Sequence, residues 1–240
     1  MEIPTHFIDK AKFVLRIFTD VETEYDFLLH LMTLTLDWVW RNRMLSRIDL
    51  SGEVRVLDLA CGTGLVAFEV AQFTPPPQMV VGLDLSTAML RIARRKKLKV
   101  RNVCPIEFVR AAGEFLPFRP EVFGYITVGL ALRNFADKVA VFKESQRVLR
   151  SAGCFLSVDF VRPDNAKVWS LYRFHIFHVL PTLGRLVSSY WERTLVYLAN
   201  SIMIAVPPEE VCRLLSGVGF HRTFLGRMSF GIVALVGAQK

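Results

Sequence analysis

A glycine-rich turn is the segment of this chain best suited to bind a small ligand. Residues 57–64 read Leu-Asp-Leu-Ala-Cys-Gly-Thr-Gly, an apolar run that passes into a helical stretch through its final Gly-Thr-Gly. Glycine lets the backbone approach a ligand closely, and the first N–H groups of the following helix are free to donate to it. Asp58 precedes the turn, and Asp84 ends the next apolar run, where a carboxylate can accept hydrogen bonds from both hydroxyls of a ribose. The pattern predicts a ligand that contains a nucleoside.

Two kinds of nucleotide cofactor fit this turn. The dinucleotide fingerprint has a third glycine where this chain has Ala67, and because alanine is sometimes allowed there, NAD stays open. An acid ahead of the turn, with a loop after the third strand that contains Ala112 and Gly113, instead resembles class I S-adenosylmethionine-dependent methyltransferases. That resemblance implies that the turn lies under the methionine part, Asp84 binds the ribose and backbone N–H groups bind the adenine. The implied cofactor-binding residues are Asp58, Gly62, Thr63, Gly64, Asp84, Leu85, Ala112, Gly113 and Gly129.

The elements that must position this turn alternate between strands and helices. Alternation of this kind predicts a parallel sheet with helices on both faces. We expect a Rossmann-like α/β fold of the class I methyltransferase type, with a seven-stranded, mostly parallel sheet and extra helices that form a substrate lid. Strands are predicted at 54–60, 79–85, 106–111, 123–130 and 154–160, helices at 64–73, 86–97, 138–150 and 208–217, and two strands joined by a tight turn at the end.

The chain is expected to form a single methyltransferase domain, since no linker or repeat divides it. Apolar residues at steps of three and four predict a helix pair within 1–50, and two or three helices fill 165–203. The expected parts are a helical cap (1–50), a cofactor-binding core (51–160), a helical lid insertion (161–205) and a C-terminal helix with strands (206–240).

Selective short motifs extend over nearly the whole chain. They are Tyr25-Asp26, ALRNF at 131–135, RVLRSAGCFLSVDFVRP, FHVLPTLGRLV, YLANSI and GVGF. In this order they resemble the ubiquinone/menaquinone biosynthesis C-methyltransferases. The chain departs from that family in having Phe27-Leu28 after the Tyr-Asp pair, no serine near Gly129, and Ala152-Gly153 instead of two glycines. The resemblance implies C-methylation of a prenylated quinol ring in menaquinone- or ubiquinone-type biosynthesis, with S-adenosyl-L-methionine as donor and no metal.

A carbon acceptor needs a proton acceptor or a stabiliser of phenolate charge inside a dry pocket. Arg133 and Asn134 follow the fourth strand, at the sheet edge where ligands bind, and Asp159 ends the fifth strand as the best carboxylate to hold Arg133 or a water. Arg133 could instead make a structural ion pair. Tyr25 closes over the site or packs in the core, and His175, on an apolar helix, is a base or a packing residue.

The composition excludes several classes of protein. With 52% hydrophobic residues the chain is no disordered segment. No run of 18 apolar residues lacks a charge, so no membrane-spanning helix is expected, and the charged N-terminus does not read as a secretory signal. The four cysteines form no C-x-x-C pair, which argues against a disulfide framework or a zinc site and fits the cytoplasm.

The net charge of +8 suits an anionic membrane, a nucleic acid or a phosphorylated ligand. Nucleic acid is disfavoured because basic and aromatic residues do not interleave. Segment 168–180 has more apolar residues than one helix face needs, which fits a polyprenyl tail, peripheral membrane contact or a homodimer interface, with Arg173, Arg185 and Arg193 near lipid phosphates. Two alternative functions remain: a methyltransferase for another hydrophobic or lipid acceptor, and a non-catalytic cofactor-binding scaffold of a quinone-synthesis assembly.

Overall fold

A mixed seven-stranded sheet forms the centre of the protein. The computed structural model describes residue 3, residues 7–100 and residues 104–240. In chain order the strands are β1 (Arg55–Leu59), β2 (Met79–Asp84), β3 (Ile106–Arg110), β4 (Phe123–Gly129), β5 (Leu149–Phe160), β6 (His221–Met228) and β7 (Val233–Gln239). Their spatial order is β3-β2-β1-β4-β5-β7-β6, in which β7 alone runs antiparallel to its neighbours within the described residues. The predicted mostly parallel α/β sheet is confirmed.

Strand β1 shows why this sheet has two hydrophobic cores. Its register sets Leu57 beside Val81 of β2 and Ile126 of β4. Successive side chains point to opposite faces of a strand. Val56 accordingly packs in one core, and Leu57 packs in the other. A strand covered on both faces carries a near-continuous apolar run, which is the pattern that predicted it.

Helices cover both faces of the sheet. On the Val56 side lie α3 (Leu36–Leu45), α4 (Leu65–Ala71) and α5 (Thr87–Lys97), and on the Leu57 side lie α6 (Lys138–Val148) and α10 (Pro208–Gly217). Side-chain caps start several of them: Ser86 accepts from the Met89 amide at α5, and Asp137 accepts from Ala140 at α6.

Five further helices lie at the carboxyl end of the sheet, two of them before β1 and three after β5. The predicted helix pair within 1–50 is in fact three helices, because α1 (Phe7–Thr19) and α2 (Tyr25–Thr33) precede α3. After β5 come α7 (Ala166–Phe174), one π-helical turn, α8 (Leu180–Val187) and α9 (Ser189–Met203). Gly184 lets α8 and α9 approach closely, since a Cβ there would lie 3.0 Å from the backbone nitrogen of Glu192. Among the described helices none is both long and apolar enough to cross a membrane.

Strand β5 starts earlier than the sequence pattern indicates. The predicted boundaries were a helix to residue 150 and a strand from 154, whereas α6 ends at Val148 and β5 begins at Leu149. Leu149 already pairs with Phe123 of β4, and the register then shifts before Tyr125 meets Cys154. Ala152 takes a φ of 60° in this irregular stretch. The tertiary pairing therefore overrides the local polar sequence Arg-Ser-Ala-Gly.

Candidate functional site

A cleft opens at the carboxyl ends of β1, β2 and β4, with about 1150 Å³ of free space including its mouth. We call it the nucleotide cleft. Most of the residues predicted to bind the cofactor line it. They are Asp58, Gly62, Thr63, Asp84, Leu85, Ala112, Gly113 and Gly129, joined by the predicted catalytic residues Tyr25 and Asn134. The parallel strands thus bring residues distant in sequence to one edge of the sheet.

The two glycines of the Gly-Thr-Gly turn have different structural roles. Both have positive φ, 54° at Gly62 and 86° at Gly64. A Cβ at Gly62 would have no atom within 4 Å, so this glycine leaves space beside the cleft. A Cβ at Gly64 would lie 2.8 Å from the Phe68 ring and 3.2 Å from the Phe108 ring. Gly64 is absent from the cleft lining, and it instead allows α4 to pack closely against β3.

Asp84 ties the turn to the end of β2. Its Oδ2 accepts from the Gly62 amide at 2.8 Å, and its Oδ1 accepts from the Ser86 amide at 2.7 Å. Burial raises the pKa of Asp84, and these amide hydrogen bonds oppose that rise. Each carboxylate oxygen has a second lone pair available to a ligand hydroxyl.

Asp58 carries an unpaired carboxylate oxygen. Its Oδ1 accepts from the Thr127 hydroxyl at 2.9 Å, while its fully buried Oδ2 has no hydrogen-bond partner among the described residues. Burial raises the pKa of Asp58 to about 8. A buried acid that lines a cleft and lacks a partner is suited to a cationic group of a ligand.

The turn is also fastened to the N-terminal cap. The Thr63 hydroxyl donates to Asp26 of α2 at 2.5 Å, and Asp26 forms an ion pair with Lys96 of α5. Tyr25 directly precedes Asp26 in the chain. The helix that carries the predicted Tyr25 is therefore held against the nucleotide cleft by a side-chain contact.

Helix α1 belongs to the predicted helical cap and covers the cleft, but sequence reasoning did not identify the residues with which it does so. Its residues Ala11, Val14, Leu15 and Phe18 line the cleft. Their spacing of three and four residues is that of one helix face, and this signal was readable in the sequence. Lys10 on the same helix donates to the Phe135 carbonyl at 2.9 Å and the Arg133 carbonyl at 3.4 Å.

Two charged residues of the cleft lining were also missed. Glu114 is buried and accepts from the Ala136 amide at 3.2 Å and the Asp137 amide at 3.4 Å. Arg41 of α3 is buried between Asp37 and Glu69, with ion pairs to both. Both residues thus hold neighbouring loops and helices in place at the wall of the cleft.

A second, smaller space adjoins the cleft, with about 420 Å³ of free space including its open side, and we call it the inner cavity. Its lining is almost wholly apolar or aromatic and comes from α1, α2, α9 and the ends of β4 and β5. The lining residues are Phe18, Tyr25, Leu28, Leu29, Met32, Leu130, Arg133, Phe160, Thr194, Leu195, Tyr197 and Leu198. The cap helices and α9 thus enclose a mainly apolar space beside the nucleotide cleft.

Arg133 lies in the inner cavity wall and not in that of the cleft. Its side chain is 7% exposed and forms the predicted ion pair with Asp159, whose second oxygen accepts from the Arg133 amide at 2.8 Å. Nη1 also donates to the Leu130 carbonyl at 2.6 Å, and Nε donates to Ser201 of α9 at 3.1 Å. Nη2 makes no hydrogen bond to a described residue.

The other predicted catalytic residues differ in which of the two spaces they line. Tyr25 contacts both spaces, and burial raises its pKa to about 12. Asn134 lines the cleft, where its Oδ1 accepts from the Tyr197 hydroxyl at 2.8 Å. His175 is in the π-helical turn and lines neither space, and burial lowers its pKa. The structure brings Tyr25, Asn134 and Arg133 together and leaves His175 apart.

Comparison with known sequences gives a match over nearly the whole chain. The model of the ubiE/COQ5 methyltransferase family matches residues 6–240. A ubiquinone/menaquinone biosynthesis C-methyltransferase UbiE of Geobacter sulfurreducens is 32% identical, and the match covers 97% of this chain and 90% of the relative. Its counterpart in Pseudoalteromonas translucida is 31% identical, with 95% and 90% covered.

Solved structures share the fold at low sequence identity. A Thermotoga maritima protein described as an S-adenosylmethionine-dependent methyltransferase, possible histamine N-methyltransferase, superposes with a TM-score of 0.64 at 16% identity, covering 94% of this chain and 98% of that one. Phosphoethanolamine N-methyltransferase 2 of Haemonchus contortus, in complex with S-adenosyl-L-methionine, gives 0.62 at 15% identity, covering 85% and 52%.

The sheet order and the cleft define a class I methyltransferase with S-adenosylmethionine as methyl donor. Within that class, the chain belongs to the ubiE/COQ5 methyltransferase family. The predicted family, fold, enzyme class and cofactor are confirmed, and NAD is thereby excluded as the ligand of the Gly-Thr-Gly turn.

Proposed function

We propose that this chain methylates a ring carbon of a prenylated quinol in menaquinone- or ubiquinone-type biosynthesis. The observation that carries the proposal is the inner cavity, a mainly apolar space that adjoins the nucleotide cleft through four shared residues. A flat quinol ring with an apolar tail suits such a lining better than a charged acceptor. The names of the relatives, C-methyltransferases of ubiquinone and menaquinone biosynthesis, support the same acceptor.

The cleft fits S-adenosylmethionine in two respects. The unpaired oxygen of Asp58 suits the ammonium of the methionine part, and the open position at Gly62 gives room to the ligand. We assign the ribose hydroxyls to Asp84 and Leu85, the adenine to the backbone of Ala112 and Gly113. We assign the methionine part to Asp58, Gly62, Thr63 and Gly129, with Gly64 supporting the turn. When bound, the cofactor supplies an electrophilic methyl group on a positively charged sulfur.

The chain must make the acceptor carbon nucleophilic and keep water away. We assign to Arg133 Nη2, which is free of other described hydrogen bonds, the donation to the developing phenolate oxygen. Asp159 orients the guanidinium through its ion pair. Tyr25, with a pKa near 12, stays protonated at neutral pH and acts as a hydrogen-bond donor to the ring.

The proton lost by the methylated ring carbon needs an acceptor. Tyr25 is unsuited because it holds its own proton, and Asp159 is engaged with Arg133. We therefore assign this proton to a single water molecule held beside Arg133 and Asn134. The same water removes the hydroxyl proton when the phenolate forms. One of the two protons returns to the ring oxygen after methyl transfer, and the other is released to solvent. His175 keeps a role only in packing under this proposal, since it lines neither space.

Transfer of label tests the proposal. Purified protein is incubated with methyl-labelled cofactor and a panel of reduced prenyl benzoquinols and prenyl naphthoquinols, with phospholipids and sterols as competing acceptors. We expect label in a quinol ring. Label only in another lipid identifies the alternative hydrophobic acceptor, and cofactor binding without transfer identifies the non-catalytic scaffold.

We also propose that the chain works in the cytoplasm at the surface of the membrane that holds its acceptor. The surface that we propose for this contact is formed by exposed apolar side chains of α2, α8 and α9. Helices α2 and α9 meet where the ring of Phe27 lies 5.9 Å from that of the buried Trp191. This surface comprises Phe27, Leu31, Leu34, Leu183, Leu186, Val187 and Tyr190. Arg185 and Arg193, whose side chains are 75% and 47% exposed, flank it, although each also contacts an acid at 3.4 Å.

Vesicle flotation tests the membrane contact. We expect the chain to float with anionic vesicles, and we expect the double substitution Leu183→Asp with Leu186→Asp to prevent it. The same substitutions on α7, at exposed Leu171 and Phe174, give a matched comparison. No flotation, together with a dimer in solution that the α8 substitutions separate, would assign the surface to the homodimer instead.

A further inference from the structure

Four residues separate the nucleotide cleft from the inner cavity. Phe18, Tyr25, Leu29 and Leu130 line both spaces. A methyl group that moves from the cleft to an acceptor in the inner cavity must therefore pass between these side chains. Leu29 is buried in α2 and Leu130 is buried at the end of β4, so both are fixed by the core.

Phe18 is the member of this set that packs against two aromatic rings. Its ring lies edge-on to Tyr25, with centroids 5.7 Å apart, and edge-on to Tyr197, with centroids 6.0 Å apart. It stands near the end of α1, just before the turn that leads to α2. Tyr197 is anchored in turn by its hydrogen bond to Asn134.

This packing places the Phe18 ring in the wall where the inner cavity meets the cleft. The Phe18 ring occupies the side of the opening that belongs to the cap, while Leu130 belongs to the sheet. Apolar wall residues discriminate between acceptors by their size, because an acceptor that is too wide meets the wall and one that is too narrow loses contact. Tyr25 is reserved for the hydrogen bond proposed above, which leaves Phe18 as the residue that can vary in size.

We propose that Phe18 determines which quinol ring the enzyme accepts, by setting the space left for the ring where the inner cavity meets the cleft. The proposal rests on the proposed quinol methylation and adds a specificity residue to it. A smaller residue at 18 favours the wider, two-ring naphthoquinol over the one-ring benzoquinol. A larger residue favours the benzoquinol.

The experiment measures kcat/KM for two reduced acceptors with the same geranyl tail, one naphthoquinol and one benzoquinol. In Phe18→Ala we expect the ratio of the two values to shift by about tenfold or more toward the naphthoquinol, the range typical of size discrimination in an apolar pocket. Phe18→Leu, which keeps an apolar side chain and guards against misfolding of the alanine variant, shifts it less in the same direction. Phe18→Trp shifts it the other way.

Phe13→Ala is the matched control. Phe13 lies on the same helix and also packs edge-on against Tyr197, at 5.8 Å, but it lines neither space. We expect Phe13→Ala to leave the ratio at the wild-type value. An equal shift in Phe13→Ala would overturn the proposal, because the effect would then come from Tyr197 or from the stability of α1.

A binding measurement without the cofactor gives a second readout. The oxidised forms of the two quinones are titrated into the chain, and binding is followed by quenching of its intrinsic fluorescence. The relative affinities must shift in the same direction as the kcat/KM ratio. If the wild type methylates neither quinol, the proposed function fails; if it methylates either while the ratio and relative affinities stay unchanged at position 18, only the Phe18 proposal fails.

Discussion

The nucleotide cleft and the inner cavity are built from different parts of the chain. The cleft has a wall of backbone and small residues at the strand ends, where Gly62, Ala112 and Gly113 present peptide groups and Asp84 locks the turn by two amide hydrogen bonds. The inner cavity consists mostly of side chains from helices that lie before and after the sheet, joined by Leu130, Arg133 and Phe160 at the ends of β4 and β5. A wall made of backbone can hardly change without changing the fold, whereas a wall made of side chains changes with each substitution.

The two spaces also differ in how they treat charge. The cleft is lined by three acids, Asp58, Asp84 and Glu114, and burial raises the pKa values of the first two. Its one lining arginine among the described residues, Arg41, is balanced by ion pairs with Asp37 and Glu69. The inner cavity holds Arg133, whose charge is balanced by Asp159. A site for a cationic cofactor therefore lies beside a site that stabilises an anion. Methyl transfer from a sulfonium to a phenolate needs this arrangement, and substitutions on each side should separate binding from turnover.

The largest expected effect is on the acceptor side. Arg133→Ala removes a preorganised donor to developing phenolate charge, which is worth ~2.7–4 kcal/mol, or about a hundred- to a thousandfold in turnover. Cofactor affinity should persist, because Arg133 does not line the cleft. Arg133→Lys keeps the charge without the planar fork and should recover only part of the rate. Steady-state kinetics and calorimetric titration of the cofactor measure the two quantities.

The stability of this variant needs its own control, because Arg133→Ala removes the counter-charge of the buried Asp159, which keeps only the amide hydrogen bonds from residues 133 and 160. Removing one member of a buried ion pair costs about 3–5 kcal/mol. The double variant Arg133→Leu with Asp159→Leu removes both charges and should unfold at a higher temperature than Arg133→Ala. If it regains turnover along with stability, Arg133 is structural only. A fall in cofactor affinity would instead place Arg133 among the residues that bind the cofactor.

The next effect is on the cofactor side. Asp84→Ala loses charge-assisted hydrogen bonds of ~1.5–3 kcal/mol each and should weaken cofactor binding at least tenfold by calorimetry. The structure adds a second cause, since the Gly62 amide also loses its acceptor. Asp84→Asn keeps one acceptor oxygen, and its cofactor affinity should lie between those of the wild type and Asp84→Ala. Unchanged affinity in a folded Asp84→Ala variant is incompatible with the assigned site.

Asp58 should make stability depend on pH. Its folded pKa is about 8, far above the value of an exposed acid, so the folded chain holds a proton that the unfolded chain has lost. Stability contributed by this proton is present at low pH and declines as the pH rises toward 8. The decline is about 2 kcal/mol between pH 6 and pH 8. Urea unfolding of wild type and Asp58→Asn should differ in slope over this window.

Cofactor binding gives an independent check of Asp58. The ammonium of the cofactor favours the ionised carboxylate, so binding below pH 8 should release a proton. Calorimetric titrations of the cofactor in buffers of different ionisation enthalpy give the number of protons released on binding. Asp58→Asn should release none through this group, and equal release by both proteins would remove the ammonium assignment.

The parts of the molecule that the sequence could predict are those whose signal is local. The strand, turn and helix around Gly62, and the acid at the end of each strand, follow from runs of adjacent residues. The sheet edge on which Arg133 lies was predictable from its place after β4. Its partner Asp159 was predicted too, because that acid ends the neighbouring strand β5. The contact of Arg133 with Ser201 was not, because α9 comes from a distant part of the chain.

Contacts across the chain were beyond sequence reasoning of this kind. The Thr63–Asp26 hydrogen bond joins the turn to α2, and nothing in either local pattern indicates the other. The face of α1 was readable as Ala11, Val14, Leu15 and Phe18, but a helical period does not say which surface that face covers. His175 shows the converse: a suitable residue type on a predicted lid helix that packs away from both spaces.

The smallest effect should come from the contact that holds α1 over the cleft. Lys10 donates to the Phe135 carbonyl at 2.9 Å, and burial lowers the pKa of its amine while Glu114 opposes the change. Lys10→Met keeps the apolar stem of the side chain and removes this hydrogen bond, at a cost of about 1 kcal/mol, or about fivefold in cofactor affinity. Because α1 covers the cleft only when it is docked, the loss should appear as faster cofactor release in stopped-flow measurements, with the association rate nearly unchanged.

Lys12→Met on the exposed side of the same helix removes a charge that makes no contact with the core, and it should leave the release rate unchanged. Equal release rates in Lys10→Met and wild type would mean that α1 is held by its apolar face alone, and the cap would then be as rigid as the turn beneath it.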